Sequence, residues 1–240
     1  MDYEALTPRL VSWIKEKVTS AGSRGVVLGL SGGIDSSVIA GLCKRAFPET
    51  TLGLIMPCYS DPADEKFARM VSEKFNIKTV KVDLSPVYDA FLKALSSDKD
   101  KDDLIAVSNI KVRLRMTTLY YFANKFKYFV VGSGDLSEIT VGYFTKYGDG
   151  AADILPLGKL LKTQVRELGS YLGVPKVIVE KPSTPGLWSG HTAEGELGVS
   201  YEDIDRYVIT GKATPEVKVR IESLKKASQH KREMPTVPDF

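Results

Sequence analysis

Val26-Val27-Leu28-Gly29-Leu30-Ser31-Gly32-Gly33-Ile34-Asp35-Ser36-Ser37 is the stretch from which the rest of the chain can be read. Its first five residues form an unbroken apolar run, the pattern of a parallel strand covered on both faces. A glycine turn follows, and from residue 36 to 46 Val38, Leu42, Cys43 and Ala46 recur at helical spacing. Residues 51–56 return to a short strand that stops at Pro57, which completes a βαβ unit. Working outward, helices are predicted over 63–75 and 87–95 and strands over 79–82 and 128–132. Upstream, Leu10, Val11, Ile14 and Val18 mark one face of an opening helix. Strands that alternate with helices predict an α/β fold with a Rossmann-like, doubly wound parallel sheet flanked by helices.

The turn itself carries chemistry. Glycines let a backbone approach an anion closely, and successive N–H groups at a helix N-terminus supply positive potential. The hydroxyls of Ser31, Ser36 and Ser37 are expected to add donors to what reads as a phosphate loop. Asp35 would repel a phosphate unless a divalent cation lay between them, so the loop predicts Mg²⁺ held by Asp35 and phosphate oxygens. The plainer alternative is a Ser/Asp-capped helix after a glycine turn. Neither GxxxxGK[ST] nor GxGxxG occurs, which argues against a Walker-type nucleotide triphosphatase and a dinucleotide fingerprint.

Composition sets the bounds. The chain has 240 residues, 43% hydrophobic and 26% charged, as expected of one sizeable core. Its 33 basic and 30 acidic residues leave a net charge of +3, too little to suggest nucleic acid or a membrane as the main partner. Cys43 and Cys58 lack metal-ligand spacing and read as buried thiols of a cytoplasmic protein. The mixed-charge run 98–103 reads as a solvated loop, and residues 104–126 as a long helix suited to a subunit interface. Beyond residue 132 Gly, Asp and Thr are dense up to 157, a helix is expected over 159–172, and the Gly/Pro-rich stretch 182–198 reads as a lid. Glu138, six residues past a strand end, could complete a metal site with Asp35.

The loop spelled Ser31-Gly32-Gly33-Ile34-Asp35-Ser36 resembles the SGGxDS motif of pyrophosphate-loop enzymes, which adenylate their substrates. Further blocks narrow the resemblance to the NAD synthetases: 109–116 (NIKVRLRM), 132–138 (GSGDLSE), 142–154 (GYFTKYGDGAADI), 160–165 (LLKTQV), and 181–183 running on to Glu196-Leu197-Gly198. The chain departs from the usual family pattern at Ser133, where Thr is common, and at His191 and Ala193 in the lid, where Gln and Asp are common.

The resemblance implies an adenine nucleotide alpha hydrolase-like fold, in a single synthetase domain over 1–240 with no glutaminase domain, and a cytoplasmic homodimer. It implies ATP-dependent amidation of deamido-NAD to NAD with free ammonia, through an adenylate, with release of AMP and pyrophosphate. Residues implied to hold ATP are Gly29, Leu30, Ser31, Gly32, Gly33, Ile34, Asp35, Ser36, Ser37, Ser133, Lys162 and Thr184. Deamido-NAD falls to Arg113, Phe144, Lys146, Asp153, His230 and Lys231, reached across the dimer, and Mg²⁺ to Asp35 and Glu138. Asp149 is the implied proton acceptor for ammonium, and Trp188 the apolar cover of the lid. Two other readings are a tRNA-modifying enzyme of the same loop class and a non-catalytic adenine-nucleotide sensor. The first would want a basic surface and paired cysteines, and Asp35 with Glu138 speaks against the second.

Overall fold

Four parallel strands in the order β3-β2-β1-β4 form the sheet: β1 Val26–Gly29, β2 Thr51–Ile55, β3 Lys78–Lys81 and β4 Phe129–Val130. The structure is a computed structural model that describes residues 1–97, 103–188 and 190–240. Val26 to Leu28 and all of β2 are buried, as the unbroken apolar runs require of strands covered on both faces. One face is covered by α1 (Tyr3–Ser20), α2 (Ile34–Ala46) and α3 (Pro62–Lys74), the other by α4 (Ser85–Ala94) and α5 (Leu104–Phe126). The connection reverses direction at β1, whose neighbours β2 and β4 lie on opposite sides, and the crevice beyond the strand ends at such a switch point is where α/β folds bind ligands.

The expected strand at 128–132 is shorter than its apolar pattern suggests. Only two residues join β4, because Val131 turns to bridge Ile154 and Gly132 donates to the Ile154 carbonyl, 2.9 Å. Of the run read as a solvated loop, residues 98–102 lie outside the described residues. Asp103 caps α5, accepting from the Ile105 and Ala106 amides at 2.8 and 3.0 Å.

The region after β4 holds more structure than its Gly- and Asp-rich sequence suggests. A capping box between Asp135 and Glu138 starts α6 (Leu136–Val141). Then come α7 (Lys162–Leu172), α8 (Lys176–Val179), α9 (Ala193–Leu197), α10 (Tyr201–Thr210) and α11 (Pro215–Ala227). The helix expected from 159 begins only at Lys162, since Leu160 donates to the Leu157 carbonyl in a preceding turn and Gln164 accepts from the Leu161 amide, 3.0 Å. Val141, Leu197, Ile204 and Ile221 make a separate apolar cluster that fastens α9, α10 and α11 to α6. Among the described residues no helix is long and apolar enough to cross a membrane.

Candidate active site

The loop after β1 is shaped by its own hydroxyls. Ser31 and Ser36 share a hydrogen bond at 2.9 Å, Gly33 donates its amide to the Ser31 hydroxyl at 3.2 Å, and Ser36 donates to the Gly33 carbonyl at 3.0 Å. Gly32 takes φ +76°, and a Cβ there would sit 2.5 Å from the Asp64 carbonyl oxygen, so the turn against α3 has room only for glycine. Ser37 departs from expectation: it is fully buried and donates to the Gly33 carbonyl at 2.7 Å, which fastens the start of α2 and leaves no hydroxyl facing a ligand. Gly29, Leu30, Ser31, Gly33, Ile34, Asp35 and Ser36 line a cavity of about 560 Å³, while Gly32 and Ser37 stand behind them.

Behind Asp35 and Glu138 of that cavity wall stands a buried lysine that itself lines neither cavity. The Lys162 ammonium, on the first residue of α7 and 1% exposed, lies 2.8 Å from Asp35 Oδ1, 2.9 Å from Asp135 Oδ2 and 2.8 Å from Glu138 Oε1. The Tyr201 ring covers it, with the centroid 4.9 Å away. Burial alone pushes this lysine's pKa down, but Asp35, Glu138 and Asp135 together push it well up, so it remains charged. Burial acts the opposite way on the acids. It pushes Asp135 up to about 6 against the pull of Lys162, and raises Glu138 well above the usual carboxylate range. One ammonium cannot neutralise three ionised carboxylates, and the crowding among them helps to raise Asp135 and Glu138.

The helix ends around this cluster are held by Asp205, a buried acid of α10. It accepts from the Ser137 hydroxyl of α6 and from the Thr163 amide, the latter at 2.9 Å, while Ser137 Oγ accepts the Lys162 amide at 3.0 Å. Asp135, Tyr201 and Asp205 were not singled out in the sequence. For Asp135 a signal existed, since Asp three residues before Glu spells an N-terminal capping box.

Asp35, Asp135 and Glu138 can each present an oxygen within 4.8 Å of the others. Three hard oxygens so close together suit a small divalent cation with waters or phosphate oxygens completing its shell, and the expected pair Asp35 and Glu138 gains a third member.

The remaining site residues divide. Ser133 and Thr184 line the main cavity, and Thr184 also ties the lid, donating to the His191 carbonyl at 2.5 Å. The lid is braced by Lys111, which donates to the Leu187 carbonyl at 2.9 Å, and by Lys181, paired with Asp64 at 2.6 Å. Trp188 stacks on His191 with centroids 3.4 Å apart, and His191 Nε2 lies 2.7 Å from Glu196.

A second cavity of about 300 Å³ adjoins the first and is lined by Glu138, Phe144, Asp149 and Lys231. Asp149 faces both cavities. Its side chain is exposed at their rim, where the surrounding protein raises the carboxyl pKa against the lowering effect of the Thr145 amide that donates to it at 2.8 Å.

Arg113 was expected to share a site with His230 and Lys231 across two chains, and within one chain Lys146 and Phe144 already link them. Arg113 Nε donates to the Lys146 carbonyl at 3.3 Å, Lys146 to the His230 carbonyl at 2.5 Å, and Lys231 to the Phe144 carbonyl at 2.8 Å. The cause is α11, which packs on α6 and returns the tail to the 142–146 turn. Asp153 departs furthest. It lines neither cavity, and its carboxylate accepts from the Val130 amide at 2.7 Å and the Tyr120 hydroxyl at 2.9 Å, a structural use of both oxygens.

Comparison with known proteins places this geometry. Residues 6–235 match the family described as NAD synthase. The NH(3)-dependent NAD(+) synthetase of Carboxydothermus hydrogenoformans is 46% identical over 239 residues, 99% of this chain and 98% of that protein. The NMN synthetase of Francisella tularensis superposes with a TM-score of 0.95 at 38% identity, covering 100% of both chains. The NH3-dependent NAD synthetase of Campylobacter jejuni does so with a TM-score of 0.82 at 30% identity, again over 100% of both.

Replacing Lys162 by Met should leave three acids crowded without a counter-ion and cost about 3–5 kcal/mol of unfolding free energy, the usual loss when one partner of a buried ion cluster is removed. Urea denaturation checks this. Millimolar Mg²⁺ should restore more stability to the variant than it adds to the native chain, because the ion can fill the vacated charge.

Proposed function

The chain belongs to the NAD synthase family, and we propose that its cleft joins ammonia to the nicotinate carboxylate of deamido-NAD at the expense of ATP. The observation that carries this reading is the convergence of the loop acid Asp35 and the distant Glu138 on one buried lysine, at the strand ends where a nucleotide binds. In the first step the carboxylate attacks the α-phosphorus of ATP, the bond to the β-phosphate breaks, and pyrophosphate leaves. No general base is needed, because a carboxylate is already ionised. What the chain contributes is alignment and charge neutralisation.

The Gly33 to Ser36 backbone and the Ser31 hydroxyl hold the phosphates, and Ser133 and Thr184 border the nucleotide. Asp35 and Glu138, with Asp135 behind them, would hold Mg²⁺, which neutralises the departing pyrophosphate. Lys162 keeps these acids in register and offers its own charge to the phosphates. In the second step ammonia attacks the acyl carbon and AMP departs. Ammonium must first lose a proton, and Asp149, raised in pKa and facing both cavities, is its acceptor. Phe144, Lys146 and Lys231 flank the acceptor, with Arg113 beside them.

We assign free ammonia as the nitrogen donor, in keeping with the names of the relatives, and the cytoplasm as the place where ATP is at hand. A homodimer is supported by exposed apolar side chains on two neighbouring helices, Val87, Phe91 and Leu95 at or after α4 and Leu104, Ile105 and Tyr121 of α5, each 46–59% exposed. With a net charge of only +3, neither nucleic acid nor a membrane is a proposed partner.

A second reading rests on the Francisella structure: the acceptor is nicotinate mononucleotide and the product NMN. The chemistry at the carboxylate is the same, and only the groups beyond the first ribose differ. Measuring kcat/KM with both acids at saturating ATP separates the two. Deamido-NAD should be preferred at least tenfold, whereas the reverse ratio assigns the mononucleotide and turnover of neither removes the reading altogether.

Asp149→Asn should form the adenylate at close to the native rate yet amidate it slowly, and the deficit should shrink as pH rises toward the pKa of ammonium, roughly 9. Rapid-quench measurement of the two half-reactions between neutral pH and that value checks this. A pH-independent loss in both steps would mark Asp149 as a turn residue held by Thr145.

A further inference from the structure

Arg115 is a cation of the cleft that the preceding account leaves without work. It projects from α5 into the main cavity, where Nε donates to the Met56 carbonyl and Nη2 to the Ser60 hydroxyl, both at 3.1 Å. Its neighbours in the cavity wall are different. Lys81 is paired with Glu65 and Lys181 with Asp64, and Lys162 behind the wall with three acids. Among the described residues no carboxylate comes within ion-pair distance of Arg115. Enclosure by protein lowers its pKa, a cost that the charges of Cys58, Asp64 and Asp149 oppose only at a distance. A half-buried guanidinium that lines the cleft and contacts only two neutral acceptors has its charge unmatched within the protein and is free to take an anion.

The position says which anion. Met56 follows β2, the neighbour of the strand that ends in the phosphate loop, and Asp149 is close enough to raise the Arg115 pKa. Arg115 therefore lies on the wall between the nucleotide end of the cleft and the amidation end. The α-phosphoryl group belongs to both. In the first step the acceptor carboxylate forms a bond to the α-phosphorus and the electron pair of the breaking bond leaves with pyrophosphate. In the second, nitrogen bonds to the acyl carbon and the electron pair of the C–O bond leaves with the phosphate of AMP. Charge develops on or beside the same phosphoryl oxygens each time, which is where a pre-placed donor accelerates a reaction.

We propose that Arg115 is a catalytic residue that grips the α-phosphoryl oxygens through both half-reactions, using the part of its planar fork not committed to Met56 and Ser60. The proposal rests on the adenylation reading above, but its binding test stands apart from turnover. Calorimetric titration of the native chain should show AMP binding at least tenfold more tightly than adenosine, and Arg115→Met should erase most of that difference while adenosine affinity stays within about threefold. The kinetic arm uses Arg115→Met and the charge-preserving Arg115→Lys. Both single-turnover half-reactions should fall about 10²–10³-fold in the Met variant, with KM for ATP little changed. Arg115→Lys should recover part of the rate but alter the preference between the two α-thio diastereomers of ATP, because an ammonium cannot reproduce the fork.

A native-like AMP-to-adenosine ratio in Arg115→Met overturns the proposal, as does a loss confined to KM or to thermal stability in both variants. Either result would reduce Arg115 to a tie for the 56–60 segment. If Arg115→Met does not fold, the AMP ratio and thio preference of Arg115→Lys decide. If the native chain turns over neither nicotinate acid yet its AMP preference depends on Arg115, the adenylation reading fails and the phosphoryl site stands.

Discussion

A fully buried ammonium shared by three carboxylates is the constraint around which this molecule is arranged. Lys162 can be charged at 1% exposure only because Asp35, Asp135 and Glu138 surround it, and its charge in turn favours the ionised forms of Asp135 and Glu138. The four groups come from three pieces of chain: the first turn of α2, the cap and third residue of α6, and the start of α7. Bringing them within 3 Å of one atom fixes the phosphate loop against the region after β4, across the switch point of the sheet. Buried Asp205 and Tyr201 extend the constraint to α10, which explains why a distant helix pair with its own apolar cluster is needed to complete a nucleotide site.

The cluster also accounts for the chemistry in one physical picture. Acids that outnumber their counter-ion attract further positive charge, and the triphosphate that enters beside them brings negative charge of its own. A divalent cation held by these acids would resolve both imbalances and would leave Lys162 free to offer its charge to phosphate. Arg115, which lines the same cavity and touches only neutral acceptors, would have its charge matched by substrate on the proposal above.

How far all this could be read from sequence depended on how local the physics was. The loop 31–37 follows from glycine geometry and a helix start, both settled within seven residues, so its position and the place of Asp35 in the first turn of α2 were legible. The hydroxyls were harder. Nothing in the string distinguishes Ser36, which faces the cavity, from Ser37, which turns back to Gly33. Lys162 looked like an ordinary helix lysine apart from the family resemblance, because its partners lie up to 127 residues away. Asp153 looked like a ligand contact in a charged run, but the amide of Val130 and the hydroxyl of Tyr120 claim it. Arg115 was a polar position on a long helix until the sheet placed Met56 beside it. The helices after residue 190 were hardest to read, since the short α9 and the amphipathic α10 and α11 bury their faces only against one another and α6.

The central claim is that the acids around Lys162 are where a divalent cation and the nucleotide phosphates meet. Crystals grown with Mn²⁺ and a non-hydrolysable ATP analogue, with data collected at the manganese absorption edge, test it most directly. The account expects an anomalous peak bridging Asp35 and Glu138 to the phosphates, with the Lys162 ammonium withdrawn from at least one acid to contact a phosphate oxygen. A manganese peak elsewhere in the cleft, with Lys162 still bound to all three carboxylates, would contradict it.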